Sequence, residues 1–165
     1  MIIIISGPPG SGKTTVARIL SKMLDFPLIS SGDIFRSLSK EYGMDLEDFS
    51  LFAEKNPEID RFVDEKILQI MRKNDDMVID SRLAAWFAIK NNITALKVFL
   101  DASIEHNTTM ELLLLRENSE LKRYKEIYGI NFKDISIYDL VINTDNKMPE
   151  EVAEEVVKFL KTWKN

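Results

Sequence analysis

The chain has 165 residues, 45% of them hydrophobic, and 22 Lys and Arg against 27 Asp and Glu give a formal charge of −5. That length supports one domain with its own core, and the acidic balance argues against a nucleic-acid backbone as the main partner. The lack of cysteine excludes disulfides and thiolate metal sites, and no stretch approaches a membrane span or carries a signal-peptide pattern, so a soluble cytoplasmic protein is expected.

Four isoleucines, Ile2 to Ile5, predict a buried parallel strand. Through Ser6 they run into Gly7-Pro8-Pro9-Gly10-Ser11-Gly12-Lys13-Thr14, which matches G-x-x-x-x-G-K-[ST] at every fixed position. Such a P-loop turns its amides inward as an anion nest, with a helix N-terminus behind them. Lys13 can reach the β- and γ-phosphates and Thr14 can offer its hydroxyl to Mg²⁺. The stretch from Gly7 to Thr15, including Pro8, Pro9, Gly10, Ser11 and Gly12, is therefore the candidate ATP site. Val16, Ile19, Leu20, Met23 and Leu24 follow at helical spacing.

A second strand is expected at Leu28 to Ser30, with Asp33 capping a helix over residues 34–38. Another helix begins near Asp45, with Leu46, Phe49, Leu51 and Phe52 as its apolar side. A third runs from Pro57 to Lys73, with Ile59, Phe62, Val63, Ile67, Ile70 and Met71 inward. Strands are expected at Met77–Asp80, Ala95–Leu100 and Asp139–Ile142. Between and after them, helices are expected at Leu83–Lys90, at about Thr109–Tyr128 stopped by Gly129, and at Pro149–Trp163. Strands alternating with helices imply an α/β domain, a five-stranded parallel sheet sandwiched by helices. Asp80, at a strand end, could meet a Mg²⁺ water or cap a helix. Arg116 and Arg123, two turns apart, could share one helical face, although a charged helix with Glu120 and Lys122 more often presents a solvated face.

Ser31-Gly32-Asp33-Ile34-Phe35-Arg36 begins where the second strand stops, on the sheet edge that carries the P-loop. Here the chain resembles the P-loop nucleoside monophosphate kinases. Residues 47–61, 78–86, 116–130 and 136–144 extend the likeness to the archaeal-type cytidylate kinases over nearly the whole chain. The resemblance implies a P-loop NTPase fold with two inserts, a nucleotide-acceptor insert at about 31–73 and a lid at about 101–128. It implies transfer of the ATP γ-phosphate to CMP, and also dCMP, giving CDP and ADP with Mg²⁺. Ser31, Arg36 and Arg82 match acceptor-binding positions. Arg61 falls near a cytosine-reading arginine, with Asp60 beside it, although Arg61 equally suits a solvated helix position. Lys13, Arg116 and Arg123 match groups that stabilise transferring phosphate. Leu83 stands where family members outside the archaeal-type group carry a carboxylate, so base reading must rest elsewhere, with Asp60 the candidate. His106, the only histidine, has no role as a base, because the attacking phosphate is already anionic.

The likeness breaks between Asp101 and Arg116, which enclose no Lys or Arg, whereas the family has a longer, arginine-bearing lid. Either the lid is short or a stretch is missing near His106-Asn107, and the abrupt junction favours the second. Competing readings are a UMP or AMP kinase, a shikimate-type metabolite kinase, and an ATP-binding regulatory protein with a degenerate lid. A monomer is expected.

Overall fold

The computed structural model describes residues 1–103 and 110–163. Strands β1 (Ile2–Ser6), β2 (Leu28–Ser30), β3 (Met77–Asp80), β4 (Leu96–Asp101) and β5 (Leu140–Asn143) form one sheet in the order β2-β3-β1-β4-β5. Every pairing is parallel. The isoleucine run explains why β1 is central. Side chains alternate across a strand, so Ile2 and Ile4 enter one core layer while Ile3 and Ile5 enter the other. All four are buried, as a central strand covered on both faces requires.

Helices α1 (Lys13–Leu24) and α7 (Pro149–Thr162) cover the face that receives Ile3 and Ile5, through Val16, Leu20, Val152 and Val156. The opposite face is covered by α4 (Glu58–Met71), α5 (Ala84–Lys90) and α6 (Met110–Tyr128), which supply Ile67, Met71, Phe87 and Tyr124. Helices α2 (Ser31–Glu41), α3 (Leu46–Lys55) and the start of α4 enclose a smaller core of Phe49, Ala53 and Ile59, with Phe35 and Phe52 against it.

Several local expectations change. Ser30, not Asp33, caps α2: its hydroxyl accepts from the Asp33 amide, which puts Ser31, Gly32 and Asp33 inside the first turn. On α3, Leu51 is 45% exposed while Ala53 is buried, because 46, 49 and 53 share a face that 51 does not. Phe62 on α4 is also exposed and lies under the Lys66 ammonium, 5.5 Å from its ring centroid. Gly129 follows α6 in the left-handed region, φ 67°, as its stop position required.

Candidate active site

The parallel sheet brings the C-terminal ends of β1, β3 and β2 to one edge, where register pairs Ile5 and Ser30 with Asp80. The P-loop leaves β1 at this edge. Gly7 is required there by close packing, since a Cβ on it would lie 2.6 Å from the Leu100 carbonyl oxygen and from Ser11 Oγ. Gly12 takes φ 81° just before α1, a conformation glycine adopts freely. The first residues of α1, Lys13 and Thr14, therefore face the ends of the neighbouring strands.

Asp80 gathers these groups. Thr14 Oγ1 donates to its carboxylate at 2.8 Å, Ser30 Oγ at 3.4 Å, and Lys13 Nζ lies 3.8 Å away. The alternative of Asp80 as a helix cap does not apply, because Ser81 Oγ accepts from the Leu83 and Ala84 amides at the start of α5. Lys13 is 9% exposed. Burial, reinforced by the nearby Arg82 charge and opposed by Asp80, pushes its ammonium down to about 8.

A single cleft collects Lys13, Thr14, Ser31, Arg36, Asp60, Asp80, Arg82, Arg116 and Arg123 from five elements and the loop after β3. It holds about 50 Å³. Arg82 is buried in an ion pair with Glu120 of α6, although the two are not aligned as a hydrogen bond. Arg36 is half-exposed and pairs with Asp33 one turn before it. Burial, with Arg82 next, lowers the Arg116 pKa. The α6 face is thus no solvated surface: Ser119, Glu120, Arg123 and Tyr124 are all buried on it.

At the other pole, Arg123 Nε donates to Asp60 at 2.7 Å and one Nη to Ser119 Oγ at 2.8 Å, while its guanidinium lies 5.2 Å from the Phe35 ring centroid. Both members of this pair are about 95% buried, at 3% and 5% exposure. Asp60 faces the cleft and Arg61 does not. Arg61 is exposed and borders two other cavities, one between α4 and α5 that it shares with Asp64 and Tyr128 and one against α6 that it shares with Arg123. One turn beyond Asp60, Asp64 also lines the cleft and accepts from the Tyr128 hydroxyl at 2.8 Å.

A second cavity of about 370 Å³ opens on the other side of the P-loop. Its wall includes Gly10, Ser11, Leu113, Thr144, Asp145 and Lys147. Asp145 accepts from the Ser103 amide and hydroxyl at 3.1 and 2.7 Å, joining the ends of β4 and β5. Thr144, Asp145 and Lys147 carry no site motif in the sequence. The signal available was their place after a strand of a parallel sheet, the edge at which such sheets bind ligands. Of the lid expected at about 101–128, residues 104–109, His106 among them, lie outside the described residues, and 110–128 form α6.

A family model described as an AAA domain matches residues 3–129. The cytidylate kinase of Thermoplasma volcanium is 42% identical over 166 residues, covering 93% of this chain and 87% of that protein. The cytidylate kinase of Sulfurisphaera tokodaii is 40% identical over 173 residues, covering 97% and 95%. The chain belongs to the cytidylate kinase family. Its family membership agrees with the motif likeness, and the P-loop kinase fold agrees with the solved shikimate kinase of Aquifex aeolicus, at TM-score 0.60 and 25% identity over 98% of this chain and 97% of that one. Against the Archaeoglobus fulgidus cytidylate kinase, 38% identical and covering 99% and 97%, the alignment runs over 175 positions. That exceeds the 165 residues here by 10, so this family member carries residues without a counterpart in the chain.

Proposed function

We propose that the protein transfers the γ-phosphoryl group of ATP to CMP, and to dCMP, forming ADP and the corresponding diphosphate. The observation that carries this reading is the cleft itself: P-loop Lys13 and Thr14 face Arg36, Arg82 and Arg116, contributed by separate parts of the chain. A donor polyphosphate on the P-loop and an anionic acceptor on the arginines would then lie side by side. Relatives named cytidylate kinase supply the acceptor's identity.

Phosphoryl transfer asks for alignment and charge neutralisation rather than covalent help. An acceptor phosphate oxygen forms the new bond to Pγ as the bond from Pγ to the β–γ bridging oxygen breaks and ADP departs. Arg36 would leave Asp33 to hold that acceptor phosphate, with Arg82 kept in place by Glu120. Lys13 and Arg116 would neutralise the charge that spreads over the transferring group. Arg123, locked to Asp60 and Ser119, serves the acceptor end in this scheme rather than the phosphate. The 370 Å³ cavity beside Gly10 and Thr144 would take the donor base. The acceptor cleft at about 50 Å³ is far below the several hundred of a nucleotide-sized pocket, so α2 to α4 must separate from α6 to admit CMP.

Mg²⁺ fits the donor set. Thr14 Oγ1 and the Asp80 carboxylate offer two adjacent hard oxygens, too few for an all-protein cage and suited to an ion that keeps waters and takes phosphate oxygens. Among the described residues no group of three or more acidic or imidazole ligands is present. When bound, the ion would neutralise donor phosphate charge. The same reading takes the protein as a cytoplasmic monomer, and a composition without cysteine is compatible with a reducing cytoplasm. No described helix is long and apolar enough to cross a membrane.

The test is ADP production with ATP-Mg²⁺ against CMP, dCMP, UMP and AMP. Turnover with CMP and dCMP well above the others supports the reading. Preference for another acceptor, or ATP binding without any acceptor turnover, overturns it.

A further inference from the structure

Asp60 is the candidate carboxylate for cytosine reading, but the structure gives it to Arg123. Asp64, partly buried one turn further along α4, lines the same cleft beside the buried Val63. It forms no ion pair with any described residue, and its one hydrogen bond is accepted from Tyr128. A carboxylate offers about four lone-pair sites, so one donor leaves it with acceptor capacity. Beside it, Arg123 uses Nε and one Nη, while its second Nη has no hydrogen-bond partner among the described residues.

Resting on the cytidylate reading above, we infer that Asp64 is the specificity-determining residue, its carboxylate accepting from the exocyclic amine of cytosine while Arg123 donates to the ring N3 and O2. The pattern is complementary to cytosine and opposed to uracil. Uracil would turn a carbonyl oxygen toward the carboxylate and an N–H toward the guanidinium, leaving buried polar groups unpaired. Asp60 and Ser119 act as positioning residues that fix the Arg123 fork, and Phe35 supports its face. Tyr128 fixes Asp64 in the same way from α6. The groups acting on Asp64 are Tyr128 and Arg123 on α6 and Asp60 on α4; burial dominates and pushes its carboxyl up to about 7. Such a group is held at a cost that a ligand donor relieves.

The wild-type protein decides this without any folding risk. Acceptor turnover is measured with CMP, UMP and the 5′-monophosphate of 2-pyrimidinone riboside, which lacks only the exocyclic amine. The expected kcat/KM falls roughly 10- to 100-fold from CMP to the pyrimidinone, the size of one hydrogen bond to a charged group. Asp64→Asn adds a second arm. The Tyr128 hydroxyl claims the amide oxygen, so the NH₂ turns to the base, and the CMP-to-UMP ratio should shift toward UMP at least ~10-fold with ATP affinity unchanged. Equal use of CMP and the pyrimidinone by wild type, or an unshifted ratio in a folded Asp64→Asn protein, overturns the assignment while leaving cytidylate kinase activity standing. Failure of wild type to phosphorylate any pyrimidine nucleotide overturns the function and this assignment together.

Discussion

Replacing Lys13 with Met should stabilise the nucleotide-free protein while destroying nucleotide binding. The lysine is buried beside Arg82, and its pKa falls from 10.5 to about 8 even with Asp80 attracting it. At 1.36 kcal/mol per pK unit, the charged form costs the fold about 3 kcal/mol near neutral pH. That net figure already contains the Asp80 attraction. Because the folded pKa lies below the unfolded one, the penalty is complete below about pH 8 and fades as pH rises toward 10.5. Urea unfolding without nucleotide should therefore show Lys13→Met more stable by about 2–3 kcal/mol at pH 7 and by only about 0.8 kcal/mol at pH 10. ATP should protect wild type from unfolding and leave the variant unaffected. A variant no more stable than wild type at pH 7 would refute the argument. An equal gain at both pH values would assign the effect to packing instead of charge.

Arg123→Ala strands the Asp60 carboxylate in a buried site and should lower stability by about 3–5 kcal/mol in denaturant unfolding, with Asp60→Ala/Arg123→Ala costing less than the two single changes combined. Gly7→Ala drives a Cβ into the Leu100 carbonyl oxygen and Ser11 Oγ, so ATP affinity measured by calorimetry should fall at least ~10-fold, or about 1.4 kcal/mol. Arg61→Ala should change the KM for CMP less than about 2-fold, since an exposed side chain outside the cleft contributes little, whereas Arg82→Ala should raise it at least ~10-fold. A large KM change in Arg61→Ala would return base reading to Arg61.

Much of the architecture is legible locally. The Ile2–Ile5 run, the glycine-rich loop and the apolar spacing after it are short-range patterns whose physics needs no distant partner, and they give a strand, a phosphate nest and a helix in order. The order of strands and helices implies a parallel sheet for the same reason. Expectations at Leu51 and Phe62 fail because apolarity alone cannot tell a core face from an exposed one when the helix is short and its neighbours are unknown. Glu120 shows the opposite error: an acidic residue on a charged helix looks solvated until Arg82, from the loop after β3, is placed against it.

The sequence by itself determined the P-loop, the α/β alternation and the set of arginines available to phosphate, since each rests on residue type and close spacing. Only the tertiary structure decided how those groups divide. Asp60 sits 63 residues from Arg123 and Asp64 sits 64 residues from Tyr128, and no local pattern links such pairs. Packing α4 against α6 neutralises one carboxylate and leaves the other to face the cleft. That partition is a property of two helices in contact, because burial and charge pairing are set by what the fold brings near and not by neighbours in the chain.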